Sequence, residues 1–444
     1  MIKTGKQYVL RDVIHNDIAF DTRFFKVINT SEFQRLNRIK QLSFEYMVFP
    51  TATHTRFSHS IGTYSVMKRI LDSLKNKLQT LGITVTDEEY DLALMSALLH
   101  DIGHAGLSHT FERLFNTGTH ESWTAKIISD SSTEINRVLV EEFSKKFPEK
   151  LIKILQDEGK KFDNGIFGII AQLVSSQVDA DRMDYLLRDS YFTSVTNGNY
   201  DLDRLIRSFE IVRFKDKLTV CINEKYLSSL EEYIMGRFYM YREVYQHSIK
   251  RQMEDILIKA VKRAKEIYVA EKNIYADDIM KKLLSGEKIR VSEYTKLDDH
   301  FLMYHISRWA DSEDTILSFL CTSFLNRNKF YKNKLKKSIE DPLFLKTAVK
   351  KFMHEENLNL QNEYFFIEDD ISLNVFDSKR ENIWILSKDG NIRDLSKASF
   401  ILRNLNEQHK YKQKLEFISF DLFKAIYGKD IKPYIEKMSG EKIN

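Results

Sequence analysis

The chain has 444 residues, 43% hydrophobic and 30% charged, a balance that excludes a disordered chain and supplies a sizeable core. Lysine and arginine number 68 against 64 aspartates and glutamates, and a net charge of +4 is too small to imply nucleic-acid binding. With 15 glycines and 4 prolines the chain lacks the turn residues of a sandwich or barrel, so a mainly α fold is expected. Two cysteines, Cys221 and Cys321, cannot build a disulfide framework, and no signal core or membrane-length apolar run is present. A soluble cytoplasmic protein without a membrane partner is expected.

Residues 8–20 read as two short strands around a turn. Helical spacing begins near Thr22, and Phe33, Leu36, Ile39 and Leu42 predict a helix over 31–42, with Pro50 ending that run. A loop over 51–55 leads into a helix over 56–74, and Thr86 precedes a second over 87–99 as its cap. Shorter helices are expected at 108–116, 120–130, 134–146, 148–156 and 165–174. Alternation around Lys215-Asp216-Lys217 predicts a hairpin over 209–223. Residues 224–268 read as one long helix, with further helices to about 325. Residues 327–351 carry nine basic and two acidic side chains. They fit a solvated helix face, or a surface for a phosphate-rich regulator, nucleic acid or another subunit. Segments 362–376, 381–388 and 414–420 look like strands. The expected organisation is a core over 1–325 and a smaller α+β part over 326–444, regulatory or oligomerising.

Six of the 12 histidines lie between positions 54 and 120. In Leu99-His100-Asp101-Ile102-Gly103-His104 an apolar helix ends in an adjacent His–Asp pair, and imidazole with carboxylate suits a divalent metal. Taken alone, the pair reads more simply as a histidine capping the helix, with Asp101 solvated. Upstream, Arg56 and His59 are three apart and share a helix face, which sets a cation beside a metal ligand, as a phosphate site requires. Downstream, Asp181, Tyr185 and Asp189 form one polar stripe beside Met183, Leu186 and Leu187, which is odd for a plain surface helix, a salt-bridged surface being the bland alternative. Arg237, Tyr241 and Tyr245 share a face of the long helix, where ordinary packing is the plainer reading.

In this order the pieces resemble the HD-domain phosphohydrolases, whose H…HD…D signature reads here as His59…His100-Asp101…Asp181. The likeness covers about residues 8–260. It takes in Phe33-Gln34-Arg35-Leu36, Val48-Phe49-Pro50, His54-Thr55-Arg56-Phe57-Ser58-His59, His120-Glu121 and Asp179-Ala180-Asp181-Arg182-Met183-Asp184-Tyr185. It is similar to the deoxynucleoside triphosphate triphosphohydrolase branch of that family.

The resemblance implies an HD-domain helical core with small β-hairpins, and metal-dependent cleavage of dNTPs to deoxynucleoside and inorganic triphosphate. It makes His59, His100, Asp101 and Asp181 the ligands of a divalent ion, with Mn, Mg, Fe and Zn all open. It places His104, His109, His120 and Glu121 beside the reacting phosphate, with His120 or His109 as proton donor. It assigns Arg56, Arg182 and Arg237 to the triphosphate, and Gln41, Tyr185 and Asp189 to the 3′-hydroxyl. Leu42 and Tyr245 crowd the 2′ side, Tyr241 stands on the Arg237 face, and Gln246 meets the base. A homo-oligomer is implied, commonly a tetramer among relatives. A nucleotide activator is left open, because Asn29, Asn37 and Arg11 replace the residues that read guanine. Two other readings stand: an HD-type nuclease, phosphodiesterase or hydrolase of another nucleotide, and a nucleotide-sensing or nucleic-acid-binding protein.

Overall fold

Two five-residue strands, β1 (Tyr8–Asp12) and β2 (Asn16–Phe20), open the chain as an antiparallel hairpin. Asp12 closes its turn by accepting the backbone N–H groups of Ile14 and His15, both at 2.9 Å. The computed structural model describes residues 6–156, 165–359, 363–373, 382–408 and 411–443.

The helix expected over 31–42 gives way after one turn. Ser31–Gln34 is α-helical, Arg35–Arg38 is a 3-10 turn, and the chain then extends to pair Lys40 with Thr55. Tertiary partners override the local period. Arg35 is fully buried, and its guanidinium donates to the carbonyls of Ile102 and Leu297 at 2.7 and 3.3 Å. The Lys40 N–H goes to the Asp299 carboxylate at 2.9 Å instead of to a helix carbonyl.

Three helices, Arg56–Thr80, Asp87–Leu99 and Ala180–Thr193, form the centre of the molecule. Thr86 and Glu89 build a capping box at the start of the second, worth about 1 kcal/mol. The first helix buries Ile61, Met67, Ile70, Leu74 and Leu78, a helical stripe worth about 1.5–3 kcal/mol per side chain. The third helix lies against it. Gly62 permits that approach, because a Cβ there would stand 1.9 Å from Asp184 Oδ1 and 2.3 Å from Arg188 Nη2.

The shorter helices fall close to their expected places, at His109–Leu114, His120–Ser129, Glu134–Glu142, Phe147–Leu155 and Ile166–Val174. The long helix expected over 224–268 is interrupted. A 3-10 turn at Glu224–Tyr226 leads into Leu227–Met240, a π turn spans Tyr241–Tyr245, and a new helix runs from Ser248 to Val269. Gln246 N–H reaches back five residues to the Tyr241 carbonyl at 3.0 Å, which shifts the phase of the Arg237–Tyr241–Tyr245 stripe.

The hairpin β3 (Phe209–Phe214) and β4 (Lys217–Asn223) turns at Lys215 and Asp216, whose φ values of +50° and +61° are those of a type I′ turn. Five further strands follow: β5 (Tyr331–Lys332), β6 (Phe366–Leu373), β7 (Trp384–Leu386), β8 (Ile392–Asp394) and β9 (Tyr411–Ile418). They form a three-stranded sheet in the order β5-β9-β6 and extend the hairpin to β3-β4-β7-β8. The parallel pair β4–β7 carries that second sheet across position 325. Of the strand expected over 362–376, Phe366–Leu373 form β6 after a 3-10 turn at Glu363–Phe365, and residues 362 and 374–376 lie outside the described residues. The basic segment 327–351 holds β5, a helical turn at Lys337–Glu340 and most of the helix Phe344–Glu355. Lys337 donates to the Met438 carbonyl, and Lys346 pairs with Glu368. Among the described residues no helix is long and apolar enough to cross a membrane.

Candidate active site

His59 lies in the first turn of Arg56–Thr80, His100 caps the end of Asp87–Leu99, Asp101 follows it, and Asp181 lies in the first turn of Ala180–Thr193. These four residues from three helices converge. His59 Nε2 stands 3.2 Å from His100 Nε2, 3.0 Å from Asp181 Oδ1 and 3.8 Å from Asp101 Oδ2. His100 Nε2 is 3.4 Å from Asp101 Oδ1 and 3.6 Å from Asp181 Oδ1. Ligands that each bind one ion at about 2.0–2.2 Å stand about 3 Å apart when adjacent, so His59, His100 and Asp101 are close enough to share a divalent metal, with Asp181 Oδ1 adjoining both rings.

Outer partners fix both rings. His59 Nδ1 contacts Asp184 Oδ2 at 2.7 Å and His100 Nδ1 contacts the Ala97 carbonyl at 2.9 Å, which leaves both Nε2 atoms for the ion. Asp184 is buried and accepts from Arg188 at 2.9 Å through both oxygens, while His15 Nε2 approaches it at 2.6 Å. Arg188 continues to Asp12 in β1 at 2.7 Å. Burial opposes charge on the His59 ring, but Asp181 and Asp184 outweigh it and push its pKa up to about 10. Burial also opposes the Asp101 carboxylate, yet Arg56, His100 and His104 hold it well below the usual range.

A second histidine group adjoins the first. His104 Nε2 is 3.3 Å from Asp101 Oδ1, and its ring stacks on His120 with centroids 3.9 Å apart and planes 14° from parallel. His109 meets both rings edge-on at 5.1 Å. Glu112 accepts from the His120 backbone at 2.9 Å and contacts His120 Nδ1 at 2.8 Å and His109 Nδ1 at 3.9 Å. His104, Glu112 and His120 are close enough for a metal cluster. The near-parallel stack argues otherwise, since in-plane lone pairs of stacked rings do not meet on one ion. Burial, then Arg56 and His120, depress the His104 pKa, so that ring is neutral. Glu121 approaches His120 Nε2 at 3.3 Å but is 57% exposed. Glu112, eight residues upstream, is the partner that anchors the His120 ring, and adjacency in sequence pointed to the other glutamate.

The remaining expected residues surround these two groups. Arg56 is buried between Asp101, which it pairs with directly, and Ser108 Oγ at 2.8 and 2.9 Å. Arg182 pairs with Asp179, the buried N-cap of its own helix, and its Nε has no partner among the described residues. Arg237 Nη1 and Gln41 Oε1 are likewise buried without one. Tyr245 donates to Asp189 Oδ2 at 2.7 Å, and His54 Nε2 contacts Asp189 Oδ1 at 2.7 Å. Tyr245 meets Tyr185 at 6.2 Å and Tyr241 at 5.0 Å, and Tyr185 lies 6.3 Å from His59, all edge-on. Burial, and next Asp189, raise the Tyr245 pKa, so its hydroxyl stays a donor. The Arg237 guanidinium is 5.8 Å from the Tyr241 ring. Leu42 is half-buried against the core, and Gln246 ends the π turn half-buried. Sequence reasoning assigned no role to Asp184, Glu112, His15, Asp12, His54 or Ser108.

Residues 56–187 match the family model of the HD domain, and residues 200–282 match that of the HD associated region. The chain is 33% identical over 425 residues to the uncharacterized protein YwfO of Bacillus subtilis, covering 94% of this chain and 93% of YwfO. It is 27% identical over 327 residues to the deoxynucleoside triphosphate triphosphohydrolase SAMHD1 of Danio rerio, covering 67% of this chain but only 51% of that protein. The crystal structure of a phosphohydrolase from Bacteroides thetaiotaomicron superposes with a TM-score of 0.76 at 27% identity, covering 93% of this chain and 100% of the other.

Proposed function

The chain belongs to the HD-domain phosphohydrolase family, and within it we propose that this site cleaves dNTPs to deoxynucleoside and inorganic triphosphate. His59, His100, Asp101 and Asp181 hold the divalent ion. The observation that carries this reading is a set of buried polar atoms, unpartnered among the described residues, on side chains that the resemblance assigns to the triphosphate and the 3′-hydroxyl: Arg182 Nε, Arg237 Nη1 and Gln41 Oε1. A buried polar atom without a partner costs about 1–3 kcal/mol, and phosphate oxygens and a sugar hydroxyl supply the partners.

A bound divalent ion supplies Lewis acidity to a phosphoryl oxygen and to water. The chain's own residues do the rest. Arg56 keeps a positive charge at the ligand cluster, where phosphate charge collects. His120, held at Nδ1 by Glu112, delivers a proton from Nε2 to the leaving 5′-oxygen, and Glu112 stabilises the protonated ring. Its neighbour His109, 68% exposed, exchanges protons with solvent. The Tyr245 hydroxyl is already committed to Asp189, so a ribose 2′-hydroxyl facing that ring loses water and gains no partner. Relatedness to SAMHD1 supports the same substrate class. A homo-oligomer belongs to this reading, and light scattering tests it.

The deciding test is product analysis with each dNTP, alone and mixed, in Mn²⁺ or Mg²⁺. Deoxynucleoside with intact triphosphate is the expected outcome, and mixtures reveal any activator. Pyrophosphate, orthophosphate or no product in every mixture overturns the reading. We also expect Tyr245→Ala to raise the NTP-to-dNTP ratio of kcat/KM by about tenfold or more. An unchanged ratio removes Tyr245 from sugar selection.

A further inference from the structure

Leu107 and Ser108 carry φ values of +62° and +53°, a backbone that side-chain-bearing residues avoid. The turn they form aims two groups. Ser108 Oγ accepts from Arg56 Nε and Nη2, and His109 begins the next helix. Such strain persists only where neighbours over-determine it, at about 1–3 kcal/mol per residue.

The neighbours come from a segment almost 200 residues downstream. Asp299 is buried, and its two oxygens part company: Oδ1 accepts the Leu107 N–H and Oδ2 accepts the Lys40 N–H, both at 2.9 Å. A single carboxylate therefore ties the turn before His109 to the residue before Gln41. Around it, the Gly106 N–H donates to the Leu297 carbonyl at 2.9 Å and the Tyr294 hydroxyl to the Gly103 carbonyl at 2.7 Å. Gly106 is pressed so closely on this segment that a Cβ would stand 2.4 Å from the Asp298 carbonyl oxygen. An acid in the first turn of Asp299–Ala310 would ordinarily be explained by its helix. Here Asp298 is the cap, accepting Phe301 N–H at 3.0 Å, while both Asp299 oxygens are committed to distant backbone. Residue 299 lies outside both stretches that match family models.

We infer that Asp299 is a positioning residue, clamping the strained Leu107–Ser108 turn to the Lys40–Gln41 segment and so setting Arg56 against Asp101 and His109 against His104 and His120. This rests on the hydrolase reading of the same site. An amide in place of the carboxylate would turn an NH₂ toward one of the two N–H donors, so Asp299→Asn should release one of the two segments.

The test compares wild type, Asp299→Asn and Asp299→Glu, each loaded with Mn²⁺. Metal stoichiometry, dNTP turnover, hydrolysis of bis(4-nitrophenyl) phosphate and amide exchange at Lys40 and Leu107 are followed. For Asp299→Asn we expect full metal content and KM within about threefold, with kcat down at least about tenfold from misplacement alone. Exchange at the Leu107 or Lys40 amide should accelerate by about a hundredfold. Asp299→Glu, which keeps two acceptor oxygens, should recover part of kcat. A folded, metal-loaded Asp299→Asn enzyme with kcat within twofold of wild type, or with unchanged exchange at both amides, overturns the inference. So does loss of metal in step with activity, the mark of a role in the fold alone. Should wild type leave every dNTP intact, the nucleotide reading fails, while the phosphodiester and exchange measurements still decide on Asp299.

Discussion

Asp184 meets none of the reacting atoms in this reading, yet it decides which face His59 shows the ion. Asp181 and Asp184 are three apart on one helix and hold opposite nitrogens of the same ring, Nε2 at 3.0 Å and Nδ1 at 2.7 Å. Replacing Asp184 with Asn leaves one acceptor among His59, His15 and Arg188. Metal affinity should fall about 10- to 100-fold, measured by titration of metal-free protein. A change below threefold would mean that the ring is oriented without it. His59→Ala and Asp101→Ala should abolish hydrolysis with the helical content intact. Glu45 gives a pH prediction away from the ligands. Burial, only partly offset by Lys250, pushes its pKa from 4.5 up to about 8. Between those values the folded chain binds the extra proton, so this group's contribution to stability falls as pH rises. Glu45→Gln should therefore melt near wild type at pH 5 and several degrees above it at pH 8.5. Equal melting at both pH values would contradict the assignment. The four proposed ligands could be named from the sequence because their spacing carries a family signature, and the structure brings them together. The Asp184 role is not, since three aspartates crowd Asp179 to Asp184 and only the packed helix says which faces which ring nitrogen.

At the scale of elements, the site depends on two helices lying closer than ordinary side chains permit. Gly62 is the contact point, and a methyl group there collides with the Asp184 carboxylate. On an isolated helix Gly→Ala is favourable by about 1 kcal/mol. In this chain Gly62→Ala should keep its helical circular dichroism and lose bound metal, and metal retained at one ion per chain would show that the helices can separate without cost to the ligands. The same scale shows where periodicity misleads. Spacing of Phe33, Leu36, Ile39 and Leu42 fits a helix, but Arg35 and Lys40 find better partners across the fold. Spacing over 224–268 likewise fits one helix, and no local signal marks the π turn that places Tyr241 and Tyr245 beside Tyr185. Hairpins and caps were legible because their chemistry is local: Thr86 with Glu89, and Lys215-Asp216 at the I′ turn.

Across the whole molecule, the candidate site is assembled from residues 12 to 299, with the HD motif supplying the proposed ligands and distant segments supplying their support. The C-terminal part is joined to the same body. Strand β7 pairs with β4 through Ile222–Ile385 and Asn223–Leu386, and Arg251 of the Ser248–Val269 helix reaches Asp369 in β6 at 2.6 Å. Gln252 on that helix donates to the Phe330 carbonyl at 3.1 Å. A chain ending at residue 325 would leave the β4 edge unpaired and Arg251 without its carboxylate. Such a fragment should express largely insoluble, or melt well below the full chain, even though every proposed metal ligand lies before residue 190. Restoring residues 326–444 as a separate chain should rescue solubility if these contacts are the cause. A fragment 1–325 that stays soluble, melts with the full chain and binds one metal ion would make the C-terminal part dispensable for the fold and leave its basic segment to a role outside it.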